Sequence, residues 1–297
     1  MKNTIVLLVF FMVSISSTQS SYSQIFFTGA NGKLGVKDAN GNILIEPKYD
    51  RKNRYKSDKE FTQVAILDKK AGHYKYGYVN SQGKEVIPCI YDFLYSGFDM
   101  RVGLAVFDQG DKSGIIDTTG RVIVPAKYHS IWGDFNDGLA VVKLNEKYGY
   151  IDANGKEIVP PKYSEVVAFL SGVGIVYQNN KCGMVDTQGK LITPLKYKSL
   201  RVVHDGVVRA ELNGKFGLLD TSGREITEFK YDDMNLVATE EFISVKFNNK
   251  EGYLNMKGEV VIPIIYDSVN WFIKGKSLVK LNGESFYINK QGQRVSD

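Results

Sequence analysis

Two glycines six residues apart recur along this chain, and no other feature constrains its fold as tightly. The first glycine falls at Gly35, Gly77, Gly114, Gly149, Gly183, Gly217 and Gly252. The second falls at Gly41, Gly83, Gly120, Gly155, Gly189, Gly223, Gly258 and Gly292. Successive second glycines lie 42, 37, 35, 34, 34, 35 and 34 residues apart. A fixed period in this range marks a solenoid, propeller or array, where single units cannot bury their apolar faces alone. Phe286 takes the first-glycine place of an eighth copy, so the outer side of that end unit is expected to be less crowded.

Copy four, Glu146 to Tyr163, shows the physical content of the unit. Asp152-Ala-Asn-Gly155-Lys156 fits a three-residue hairpin loop, a type I turn closed by a residue at positive φ. Gly155 takes that conformation without a Cβ clash, and Asp152 can accept hydrogen bonds from the turn amides. The expected register sets Asp152 opposite Lys156, Ile151 opposite Glu157, Tyr150 opposite Ile158 and Gly149 opposite Val159. Gly149 then lies inside a strand, where glycine marks a bulge or a close backbone approach. The second strand is nearly continuous apolar, as in Val122-Ile-Val124 and Val260-Val-Ile262, the pattern of strands covered on both faces. Pro88, Pro125, Pro160, Pro194 and Pro263 are expected to end it, since proline lacks the ladder donor. A tyrosine follows each second glycine by eight residues in copies one to seven (Tyr49 to Tyr266) and reads as packing between copies. A third strand, such as Gly138 to Leu144, precedes the next copy.

Lysine stands two residues before each of the seven first glycines, from Lys33 to Lys250. The resulting frame, G-K-aromatic-G-aromatic-I-D-x-x-G-K-x-I-x-P-x-x-Y with F-x-x-G-L-A-V-V between copies, resembles the WG-containing (KWG) repeat of bacterial proteins. The likeness covers about Gln24 to Ser296. The slot before the first glycine holds Leu34, Tyr76, Ser113, Tyr148, Cys182, Phe216 and Glu251, never tryptophan. The resemblance implies a repeated β-structure of propeller-like form, with no defined activity and no catalytic residues to transfer. The expected fold is therefore all-β: eight antiparallel hairpin or three-stranded units in a propeller-like ring, with an open β-solenoid or superhelix as the alternative.

Residues 1–23 have the pattern of an export signal. Lys2 supplies the positive start, Ile5 to Val13 the apolar core, and Ser14 to Ser23 a mostly small, polar stretch before a cut ahead of Gln24. A cut after Ser20 is the alternative. The apolar run is too short for a stable membrane anchor. Residues 24–297 are then expected to form one repeat domain, and the formal net charge of +5 falls to +4 once Lys2 is removed. That charge is too small and too interspersed with acids to suggest nucleic acid.

No nucleophile elbow, phosphate loop or zinc-protease motif is present. The turn aspartates offer one carboxylate each, unlike calcium loops, and read as turn caps. His73, His129 and His204 lack metal-ligand spacing. Cys89 and Cys182 occupy different places in copies two and five and are expected to be free. Asp232-Asp233 and Glu240-Glu241 are adjacent carboxylates of the kind most surfaces carry. Candidate binding residues are the two tryptophans, Trp132 and Trp271, and the basic insertion with Arg51, Lys52 and Arg54. Packing between copies is the simpler role for the tryptophans, a shared exposed platform the sharper one. The expected function is an exported, non-catalytic scaffold for protein or ligand interaction in the cell envelope or outside the cell, without cofactor or metal. A carbohydrate-binding or carbohydrate-active propeller-type protein is the alternative. The expected partner is an envelope or extracellular protein, or a glycan.

Overall fold

The structure is a computed structural model and describes residues 25–52, 60–95, 103–203, 206–236 and 242–296. The export signal expected over 1–23, together with Arg54, His204 and Glu240-Glu241, lies outside these residues. Every regular element among the described residues is a strand, and the strands form eight small antiparallel sheets in which spatial order follows chain order. Each sheet is thus a meander of the kind that makes a propeller blade. The all-β repeat read from the glycine pairs is the fold.

The chain divides into two compact units, one ending at Cys89 and the other beginning at Ile90. The first unit holds the sheet Ile25–Thr28, Leu34–Lys37, Ile43–Tyr49 and most of the next. The second holds six sheets. Its second sheet, built from copy four, consists of Ser130–Ile131, Leu139–Leu144, Lys147–Asp152 and Glu157–Tyr163. The segment between copies therefore opens the following sheet: Leu139–Leu144 pairs along its whole length with Lys147–Asp152. A two-residue turn joins them, with Asn145 and Glu146 both at positive φ. That is the I′ geometry whose twist matches the flanking strands.

The second hairpin forms as its sequence requires. Gly155 N donates to Asp152 O at 2.9 Å, Asp152 Oδ1 accepts from Asn154 N and Lys156 N at 2.9 Å each, and Gly155 sits at φ 79°. The register beyond the turn differs from the simple expectation. Ile151 opposes Glu157, but Tyr150 opposes Val159 and Tyr148 opposes Tyr163, with bulges between. Gly149 is consequently not paired with Val159. It lies under the bulge, where an added Cβ would stand 2.3 Å from Val159 O and 2.8 Å from Pro160 C. The close backbone approach is real, and extra residues on the facing strand produce it.

Nor does proline end the strand: Glu157–Tyr163 runs through Pro160 and Pro161. This is possible because it is the outermost strand of its sheet, where a missing N–H removes no ladder bond. In copies five and six a threonine replaces part of this strand. Thr193 Oγ1 accepts from Met184 N, and Thr227 Oγ1 from Leu218 N, each at 2.9 Å. These sheets have three strands: Glu165–Leu170, Val173–Gln178 and Lys181–Asp186 in copy five, and Ser199–Val202, Val207–Leu212 and Lys215–Asp220 in copy six.

The core lies between sheets. Tyr163 and Val141 of one sheet pack with Val166, Phe169 and Val176 of the next. All seven copy-ending tyrosines are buried, each worth about 1.5–3 kcal/mol in apolar burial. Phe286 is half-buried against Tyr266, with the Arg294 guanidinium 4.4 Å above its ring.

Candidate functional site

The residue four places after the copy-ending tyrosine has a fixed position at the edge of its sheet. Tyr95 N donates to Val106 O, Trp132 N to Val141 O, and Asn270 N to Leu278 O. Val167 takes the same position opposite Ile175. In three consecutive sheets of the second unit the position is apolar or aromatic and open to solvent: Tyr95 is 47% exposed, Trp132 45% and Val167 42%. The three are linked through the sheets between them. A Cβ on Gly133, next to Trp132, would touch Val106, the partner of Tyr95. Tyr150, which pairs with the Trp132 partner Val141, donates to Val167 O at 2.6 Å. Tyr148 meets the Trp132 ring edge-on at 6.4 Å. The later copies carry Arg201, Asn235 and Asn270 at this position, so the apolar stripe stops after copy five.

Neither tryptophan is core. Trp132 is 45% exposed and Trp271 61%, each just beyond the short first strand of its sheet, Ser130–Ile131 and Ser268–Val269. They do not share a register position: Asn270 is the equivalent of Trp132, and Trp271 lies one residue further on. In the first unit, the Arg51 guanidinium sits 3.8 Å over Tyr74 and Lys52 Nζ 4.6 Å over Phe26. Both cations face rings, a use of positive charge that favours electron-rich aromatic faces.

Carboxylates follow a second repeated rule that the sequence reading missed. The residue after the copy-ending tyrosine accepts from the lysine of the same copy and from a backbone amide at or beside the turn of the next. Asp50 takes Lys33 Nζ at 3.1 Å and Leu67 N at 2.8 Å. Asp267 takes Lys250 Nζ at 2.6 Å and Gly283 N at 3.3 Å. Asp232 takes Lys215 and, at 2.9 Å, Asn248 N. Lys215 holds the Asp232 carboxyl below its usual range, and Lys250 does the same for Asp267. Among the described residues, every carboxylate with a resolved shift is held low. The sequence signal was an aspartate 17 residues after the lysine in four copies: Lys33 and Asp50, Lys75 and Asp92, Lys215 and Asp232, Lys250 and Asp267.

The remaining candidates are quiet. Cys89 and Cys182 are free thiols, pushed by burial up to about 12 and about 11. Among the described residues no three His, Cys, Asp or Glu side chains gather to hold a metal ion. Asp233 does not join Asp232 but accepts from Met234 N and Asn235 Nδ2.

These meander sheets, joined copy to copy through a tyrosine, define a β-repeat protein. The WG containing repeat matches residues 35–57, 76–112, 114–148, 148–182, 183–216, 216–250 and 252–284, and the chain belongs to that family. No curated protein matches the chain. Among solved structures it is similar to a eukaryotic initiation factor at 10% identity and TM-score 0.40, over 93% of this chain and 84% of that one. It is also similar to apo AztD from Citrobacter koseri at 12% identity and TM-score 0.33, over 89% and 90%. A third similarity is to the Dos1 propeller at 10% identity and TM-score 0.32, over 80% and 76%.

Proposed function

We propose that this protein is an exported, non-catalytic scaffold whose exposed stripe of Tyr95, Trp132 and Val167 takes up a partner in the envelope or outside the cell. The stripe carries the reading. Open tyrosine and tryptophan side chains give large contact area at small entropic cost, and they are enriched at binding surfaces. Export rests on the pattern of Lys2, Ile5 to Val13 and the small residues up to Ser23.

A second reading, glycan binding, is favoured by the same open rings, since sugars present apolar faces to aromatic side chains. The test uses Trp132 as its own reporter in a Trp271→Phe background. Titration with envelope extract should shift its emission, and Tyr95→Ala should weaken the response at least tenfold. Prior glycosidase digestion separates the readings: a response lost on digestion favours glycan, and one lost on protease treatment favours protein. An emission unmoved by either fraction would remove the stripe from consideration. For export, the N-terminal residue of protein from expressing cells should be Gln24; an intact Met1 in the envelope fraction would contradict cleavage.

A further inference from the structure

The rule that closes each joint with a carboxylate fails at three consecutive joints, all in the second unit. Where Asp50, Asp232 and Asp267 stand elsewhere, copies three, four and five carry His129, Ser164 and Lys198. The lysines of those copies remain: Lys112, Lys147 and Lys181. Among the described residues, Lys147 and Lys181 have no ion-pair partner, and both are exposed. Ser164 turns its hydroxyl to Tyr177 O instead.

The joint at His129 shows what is missing. His129 Nδ1 lies 3.2 Å from Asn145 N, and a neutral imidazole has one acceptor nitrogen only. Nε2 lies 2.6 Å from Lys112 Nζ, and the ammonium is itself a donor. The neutral ring can accept from only one of these two donors, where Asp232 and Asp267 accept from lysine and turn amide together. The nearest acid, Asp111, is 3.6 Å from Lys112. At the third joint Lys198 pairs with Glu211 at 2.8 Å, which leaves Lys181 as the uncompensated charge.

We infer that these three joints form a row of carboxylate-binding positions for an acidic, extended polypeptide segment, each partner carboxylate taking the place of the absent aspartate. The chemistry is copied from the molecule itself: the group that fills this position in copies one, two, six and seven is a single carboxylate on an extended backbone. One position per copy suits acidic side chains strung along a chain. The joints use different side chains from the aromatic stripe, three residues earlier in the same segments, and neither proposal depends on the other.

The test is binding of poly-L-glutamate to the full chain at low salt, followed by fluorescence anisotropy of a labelled polymer. Ser164→Asp and Lys198→Asp install the repeat's own carboxylate. The double variant should bind at least tenfold more weakly; because Lys198→Asp also removes the partner of Glu211, the wild-type urea midpoint is expected of Ser164→Asp alone. Lys257→Asp with Gln291→Asp makes the same change in charge at exposed turns elsewhere and should leave affinity within twofold. Ser164→Asp alone, should the double variant not fold, must still weaken binding severalfold. The inference is overturned if poly-L-glutamate does not bind, if both double variants lose affinity equally, or if heparin and polyphosphate bind as tightly without sensitivity to Ser164→Asp. Loss of binding in Trp132→Ala with none in the joint variants would assign the polymer to the stripe and overturn it too.

Discussion

The Tyr128 hydroxyl donates to Glu157 Oε1 across 2.7 Å and ties the end of copy three to the outer strand of copy four. Lys127 reaches the same oxygen at 3.2 Å. Burial, with the Glu157 charge behind it, pushes the Tyr128 phenol up to about 12, so it remains a donor at every ordinary pH. The first unit repeats the arrangement with Tyr49, Lys48 and Glu85. The latch is a structural device of the repeat, and it makes the joint measurable.

Removing the donor should destabilise the fold. Tyr128→Phe keeps the buried ring and deletes a hydrogen bond to a charged acceptor, a loss of about 1.5–3 kcal/mol. The urea midpoint should fall with an unchanged slope. A midpoint shift equivalent to under about 0.3 kcal/mol would mean the latch holds nothing.

The same joint should respond to acid. The Tyr128 hydrogen bond, assisted by Lys127, holds Glu157 below its ordinary 4.5. A carboxyl lowered in the folded state contributes stability that is complete above its unfolded value and is lost as pH falls through the folded one. Wild-type stability should therefore drop more steeply than that of Glu157→Gln between about pH 5 and pH 3. Parallel curves across that window would exclude Glu157 as a contributor.

The two glycines of copy four should fail for different reasons. Gly155→Ala must hold a left-handed residue, at about 1–2 kcal/mol. Its new Cβ would also come within 2.5 Å of Val124 Cγ2, a side chain that can move. Gly149→Val meets backbone at Val159 and Pro160, which cannot move aside, so the overpacking loss of about 1–3 kcal/mol should fall at the upper end. Gly149→Val should have the lower urea midpoint of the two. The reverse order would place the crowded contact at the turn rather than under the bulge.

Thr193→Val tests how copy five replaces its fourth strand. The isosteric change removes the Oγ1 that accepts from the buried Met184 amide. An orphaned buried donor costs about 1–3 kcal/mol, and hydrogen exchange at Met184 should accelerate in proportion. An unchanged exchange rate would show that another acceptor serves that amide.

Fold class was legible because its signals are dense and periodic. The copy-ending tyrosines were read correctly as packing, since an aromatic at fixed phase in every copy has to meet the same neighbour. The candidate site was harder to read. Trp132 looked like core by residue type, but it stands just past the end of the strand Ser130–Ile131 and is left open. The carboxylate joints were overlooked because Lys215 and Asp232 are 17 residues apart, and the amide that completes the site, Asn248, is 16 further on.

Local residue chemistry was enough for the Asp152–Gly155 turn, the strand on each side of it and the number of copies. Every bond that closes that turn lies within five residues, so local chemistry is enough. Packing between strands set that Leu139–Leu144 joins the sheet after it, that bulges carry Pro160 and Pro161 over Gly149, and that Tyr95, Trp132 and Val167 are open at the same register position of three consecutive sheets. Those outcomes depend on which strand lies alongside and which side of a sheet is left uncovered, and residues distant in the chain set both.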